Sequence, residues 1–132
     1  MGCKLLLVDD EEMMVKYLQR RLEIQGFEVT TAFSGKAAIA AVQKNDFDVV
    51  LLDLLMPEMN GIETLRQIKK LRPSTEVIML TAYSSRKIDE EINSLGAFDL
   101  VLKPFDLEDF IKRIELAMSH RLRCEPSVGF KR

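Results

Sequence analysis

Histidine, cysteine and proline are scarce in this chain: 132 residues hold one, two and four of them. The cysteines, Cys3 and Cys124, stand near opposite ends. That spacing suits neither a zinc site nor a disulfide framework, and reduced thiols in a cytoplasm are expected. The lone histidine, His120, lies among arginines beyond the last clear helical stripe, which reads as a solvated tail residue rather than a ligand or phosphodonor. Long apolar runs are missing too. None reaches the length of a membrane span, and the leading residues meet charge too early for a signal peptide. Met1-Gly2-Cys3 begins like a myristoylation signal, but Leu6 stands where Ser or Thr is required. No repeat or low-complexity stretch interrupts the chain.

What is present is an ordinary globular balance, with 47% apolar and 30% charged residues and a net charge of −2. That composition argues against disorder. The length fits one domain able to bury roughly two-thirds of the surface its unfolded chain exposes. A slightly acidic body carries no nucleic-acid footprint. Arg121, Arg123, Lys131 and Arg132, opposed only by Glu125, form a modest basic tail, read as a linker or trimmed end. The expected division is a domain over 1–120 and a tail over 121–132.

Five apolar or β-favouring runs alternate with five helical patterns. Lys4-Leu5-Leu6-Leu7-Val8 ends abruptly in Asp9-Asp10-Glu11-Glu12; Glu11 and Glu12 read as a helix start favoured by the helix dipole. Met14, Leu18 and Leu22 follow at helical spacing with Tyr17 on the same side, and Gly26 offers a stop. Phe27 to Thr31 alternates like an outer strand. Ser34 caps a helix with a small inner stripe of Ala38, Ala41 and Val42. Asp48-Val49-Val50-Leu51-Leu52-Asp53 is an unbroken apolar run, as in a strand buried on both faces. After the loop Met56 to Asn60 comes a helix from about Gly61 with Leu65, Ile68 and Leu71, ended by Pro73. Glu76 to Leu80 delivers Thr81-Ala82-Tyr83; Ser84 or Ser85 then caps a helix with Ile88, Ile92 and Leu95, closed by Gly96. Phe98 to Leu102 delivers Lys103-Pro104. Asp106 to Asp109 resembles a capping box with Asp at its fourth position. The final helix carries Leu107, Phe110, Ile111, Ile114, Ala117 and Met118.

Such alternation implies a doubly wound α/β fold, a five-stranded parallel sheet with helices on both faces and right-handed crossovers. Of the two common strand orders, the dinucleotide version is disfavoured by the missing Gly-x-Gly-x-x-Gly after the first strand, which leaves the flavodoxin-like order 2-1-3-4-5. Parallel strands gather the residues past their ends on one edge. That edge receives Asp9, Asp10, Asp53, Thr81 and Lys103. Carboxylates held close need a cation to stay ionised, and oxygen-only ligation fits Mg²⁺. A metal, a fixed ammonium, a hydroxyl donor and an attacking carboxylate are the parts of a phosphoryl-transfer site.

Asp9-Asp10, Asp53 within Leu-Leu-Asp-Leu-Leu-Met-Pro with Gly61 following, Thr81-Ala82 and Lys103-Pro104-Phe105 together resemble the receiver domains of two-component response regulators, from about Lys4 to Met118. The resemblance implies that Asp53 accepts a phosphoryl group from a sensor histidine kinase or phosphotransfer protein. It implies Mg²⁺ on Asp10, Asp53 and the Leu55 backbone carbonyl, with Asp9 nearby through water, and Thr81 and Lys103 in contact with the phosphoryl oxygens. It implies a cis Lys103-Pro104 bond. Its readout is altered binding of an output domain or protein at the face of the fourth helix, fifth strand and fifth helix, or a phosphorylation-dependent dimer, with no direct contact to nucleic acid or membrane.

One position departs from the family pattern. Leu100 stands three residues before Lys103, where a switch aromatic is usual, and either Phe98 or Tyr83 is expected to substitute. Leu55 and Tyr83 flank the phosphoryl position in the family, and their bulk is expected to slow water attack. Met56 and Met59 are read chiefly as gap-fillers, with kinase docking the lesser reading. Two rivals remain. A Mg²⁺-dependent aspartyl phosphatase wants Asp-x-Asp, and Leu55 occupies the second acid's place; a scaffold indifferent to phosphate has no need of the intact acids, Thr81 and Lys103.

Overall fold

The computed structural model describes residues 3–56, 60–83 and 85–124. The strands are β1 (Lys4–Val8), β2 (Glu28–Ala32), β3 (Val49–Asp53), β4 (Glu76–Thr81) and β5 (Asp99–Leu102), and the helices are α1 (Glu12–Ile24), α2 (Gly35–Lys44), α3 (Gly61–Leu71), α4 (Arg86–Ser94) and α5 (Leu107–Cys124). All pairings are parallel, in the order β2-β1-β3-β4-β5, so the doubly wound five-stranded fold is as expected. Among the described residues no helix is long and apolar enough to cross a membrane.

The unbroken apolar runs have a direct structural meaning. Successive strand side chains point to opposite faces, and both faces are covered. Leu5, Leu7, Val49 and Leu51 pack with Val15, Leu18 and Leu22 of α1 and Phe110, Ile114 and Ala117 of α5. Leu6, Val8, Val50 and Leu52 pack with Ala38 and Val42 of α2, Leu65 and Ile68 of α3 and Ile92 of α4. Each fully buried Leu or Val contributes about 1.5–3 kcal/mol of transfer free energy. Within β3 a polar residue before the terminal Asp53 therefore has nowhere to go.

Local signals fix where the helices begin and end. Ser34 Oγ accepts from the Ala37 N–H at 3.1 Å, Asn60 Oδ1 from Glu63 at 2.8 Å and Ser85 Oγ from Ile88 at 3.2 Å. Ser85 thus takes the cap; Ser84 lies outside the described residues, as do Pro57 and Met59. Asp106 Oδ2 accepts from Asp109 N at 3.1 Å, but the Asp109 carboxylate takes Arg113 Nε at 2.8 Å, leaving half a capping box. Gly26 and Gly96 hold φ of 102° and 95° past α1 and α4, a conformation that glycine adopts without steric cost.

Three outer positions differ from expectation. Tyr17 is exposed, because Val15, Leu18 and Leu22 already fill the buried stripe of α1. Its ring lies beneath Arg21, with Cζ 5.9 Å from the centroid. Leu71 ends α3 exposed, since Ile62, Leu65 and Ile68 already cover the sheet there. Most consequential, α5 runs on through 121–124, so His120 and Arg121 are helical residues packed on the domain rather than a solvated tail.

Candidate functional site

Strand polarity assembles the site. Asp9 and Asp10 follow β1, Asp53 is the last residue of β3, Thr81 the last of β4, and Lys103 follows β5. Short backbone bonds lock these ends together: Leu54 N–H donates to Leu80 O at 2.8 Å and Lys103 N–H to Thr81 O at 2.7 Å. The loop after β3 is fixed by a near-contact. Gly61 N–H donates to Leu54 O at 2.7 Å, and a Cβ on Gly61 would stand 2.4 Å from Asp53 O and 2.6 Å from Leu54 Cα. Only glycine fits there.

Lys103 Nζ lies 2.8 Å from Asp9 Oδ2, 3.5 Å from Asp53 Oδ1 and 3.9 Å from Glu11 Oε1. Asp9 is wholly buried and Asp53 is 6% exposed, while Asp10 faces solvent. The second oxygen of Asp9 accepts the Glu11 N–H at 3.0 Å. Burial, then the charge of Asp9, pushes the Asp53 carboxyl up to about 6; Lys103 and the Leu55 backbone N–H hold it back from rising further. Burial alone would lower Lys103, but its bond to Asp9 and the charges of both carboxylates outweigh that and raise it. Near neutral pH the pair is therefore a carboxylate facing an ammonium.

One oxygen each from Asp9, Asp10 and Asp53 lie within 4.8 Å of one another. The donors are all carboxylate oxygens, and the solvent side is open at Asp10, which suits a hard divalent cation that keeps some of its water. Asp9 is the acid bound most closely by Lys103, so Asp10 and Asp53 are the better placed to hold the ion directly. Leu55 meets Asp53 through its N–H, and its side chain is 62% exposed.

Thr81 is 1% exposed. Its hydroxyl donates to Tyr83 O at 2.8 Å and accepts from Tyr83 N–H at 3.1 Å, closing a local turn. Tyr83 itself is 60% exposed over that turn. The Lys103-Pro104 bond is cis. Leu100 and Phe98 sit on opposite faces of the sheet. Leu100 packs toward the α4 side, while Phe98 packs toward α5, with its ring 5.3 Å from that of His120. Both line a cavity of about 340 Å³ beside α4, apart from the acids. Sequence reasoning passed over Glu11 as a plain helix start, although its place two residues after Asp9 puts it in reach of Lys103.

A carboxylate at the sheet edge, beside a fixed ammonium and two further acids, can attack phosphorus and share the resulting charge. The chain is also similar to known proteins. The family described as "Response regulator receiver domain" matches residues 5–115. The transcriptional regulatory protein ZraR of Salmonella typhimurium is 39% identical over 116 residues, covering 88% of this chain and 26% of its own length. The uncharacterized transcriptional regulatory protein YkoG of Bacillus subtilis is 38% identical over 127 residues, covering 95% of this chain and 55% of its own. This chain thus spans about a quarter to a half of these relatives. The crystal structure of a CheY-like receiver domain protein from Methanospirillum hungatei superposes with a TM-score of 0.89 at 28% identity, over 92% of this chain and 97% of that one. With the family matched over nearly its whole length and the same fold in a solved receiver, the chain belongs to the response regulator receiver domains of two-component systems.

Proposed function

We propose that Asp53 is the phosphoacceptor of a signalling switch in the cytoplasm. The observation that carries this reading is the clustering of Asp9, Asp10 and Asp53 oxygens within 4.8 Å, with Lys103 bonded into the cluster. An Asp53 carboxylate oxygen attacks the phosphorus of a phosphohistidine on a sensor kinase or phosphotransfer protein. The phosphorus–nitrogen bond breaks, its electron pair leaves with the imidazole, and an acyl phosphate remains on Asp53. Asp10 and Asp53, with the Leu55 carbonyl as a further ligand and Asp9 alongside, would hold Mg²⁺, which would supply neutralisation of phosphoryl charge. Lys103 turns from Asp53 to a phosphoryl oxygen while keeping Asp9 as its anchor.

The bonds of Thr81 give the readout a physical cost. To meet a phosphoryl oxygen its hydroxyl must leave Tyr83 O, which opens the turn that leads into α4. The new charge on Asp53 thereby biases a two-state equilibrium of that loop, and the face of α4, β5 and α5 changes its affinity for an output domain, an output protein or a second copy. With Leu100 at the usual aromatic position, the change at β5 is one of packing alone. Leu55 in place of a second acid leaves no group to protonate a leaving alcohol, which favours a switch acting on itself over a phosphatase acting on other molecules.

Labelling with a small acyl phosphate in millimolar Mg²⁺ tests the proposal. One phosphoryl group per chain is expected, lost on chelation and in Asp53→Asn. Turnover of assorted phosphoesters, or no incorporation at all, would overturn it.

A further inference from the structure

α5 ends on the edge of the sheet opposite Asp53. Arg121, in its last turn, is 6% exposed. Nη1 donates to Asp48 Oδ1 at 2.6 Å, and Nη2 to both oxygens of Asp46 at 2.9 Å and to Ser74 Oγ at 3.5 Å. The other oxygen of Asp48 accepts the Lys4 N–H at 2.8 Å. The preceding residue, His120, pairs through Nδ1 with Glu76 Oε2 and tilts its ring against Phe98.

These partners have one thing in common: each lies where a strand starts. Lys4 opens β1, Asp46 and Asp48 precede β3, Ser74 and Glu76 lead into β4, and Phe98 precedes β5. Two consecutive residues of α5 therefore gather the amino ends of β3, β4 and β5 directly and that of β1 through Asp48, the four strands whose carboxyl ends deliver Asp9, Asp53, Thr81 and Lys103. A buried guanidinium is tolerated only when paired, and its planar fork holds carboxylates in fixed geometry. Two carboxylates against one guanidinium leave the pocket net negative, which holds the arginine more firmly than a single partner.

We propose that Arg121 is a latch: it seats the last turn of α5 on the sheet and fixes where the polypeptide beyond Cys124 leaves the domain, at the edge remote from Asp53. The latch makes α5 a stiff rod from the site's neighbourhood to the exit, so a shift of α5 reaches whatever follows without being absorbed by a fraying end. It uses none of the phosphoacceptor chemistry and stands whether or not Asp53 is phosphorylated.

Residue-resolved hydrogen exchange on the full chain tests this, comparing the parent with Arg121→Gln and with Asp46→Asn. In the parent, amides of 118–124 should be protected. In both variants they should exchange about 10-fold faster or more, while amides of β1, β3 and β4 keep parental rates, as local opening requires. Unprotected parental amides at 118–124, or unchanged rates in the variants, would overturn the latch. So would acceleration shared equally by the strands, which marks an ordinary stabilising ion pair. Should Arg121→Gln fail to fold, Asp46→Asn decides alone, since Asp46 keeps a half-exposed side chain.

Discussion

Asp53 is asked to be two things at once, a buried group and a charged one, and the cost of that appears in its titration. An ordinary aspartate titrates near 3.8, and Asp53 near 6. Between those values the folded chain holds more protons than the unfolded one, so this group's contribution to stability falls as pH rises through that window and stays lower above it. The penalty at neutral pH is on the order of 1–3 kcal/mol. Asp53→Asn removes it while Asp9 still holds Lys103. In the absence of divalent ions the variant should need more urea than the parent to unfold at pH 7, and the difference should close near pH 4. Leu55 and Tyr83, both exposed, are expected to hinder in-line approach of water. The double variant Leu55→Asn, Tyr83→Glu should lose its phosphoryl group several-fold faster, followed as release of inorganic phosphate; equal lifetimes would remove these side chains from the account.

Among the elements, the β3–α3 junction has the least tolerance. Gly61→Ala places a methyl 2.4 Å from the Asp53 carbonyl oxygen and 2.7 Å from that of Leu54, so α3 or the end of β3 must shift. Overpacking of this kind costs about 1–3 kcal/mol; equilibrium unfolding should report that loss, and the displaced Asp53 should label more slowly. The strands were legible in the sequence because a double-sided environment demands unbroken apolar runs, and β3 and β4 read that way without ambiguity. Polarity followed from the alternation, and with it the placing of Asp9, Asp53, Thr81 and Lys103 at the carboxyl ends of their strands. Tyr17 was misplaced because an aromatic at the flank of a helical stripe satisfies the period while its hydroxyl seeks water. The turn closed by the Thr81 hydroxyl left no trace, since nothing in Thr-Ala-Tyr distinguishes a side chain bonded to its neighbours from one free to reach a ligand.

For the molecule as a whole, a domain boundary after His120 falls inside α5, which runs to Cys124. Composition marks Arg121 as tail because arginines two residues apart look solvated, and its aspartate partners lie more than 70 residues earlier, beyond any local pattern. A chain ending after His120 should melt about 5–10 °C below one ending after Cys124, as the two aspartates lose their counter-charge; equal melting curves would restore the shorter boundary. The parallel sheet also sorts the chain into two vocabularies. Segments that follow strands carry the proposed phosphoacceptor site, and segments that precede strands carry the partners of Arg121. Exchange of the post-strand segments with those of another receiver would thus move specificity between proteins like an interchangeable tool head, while the handle that grips it stays in the hand of the recipient.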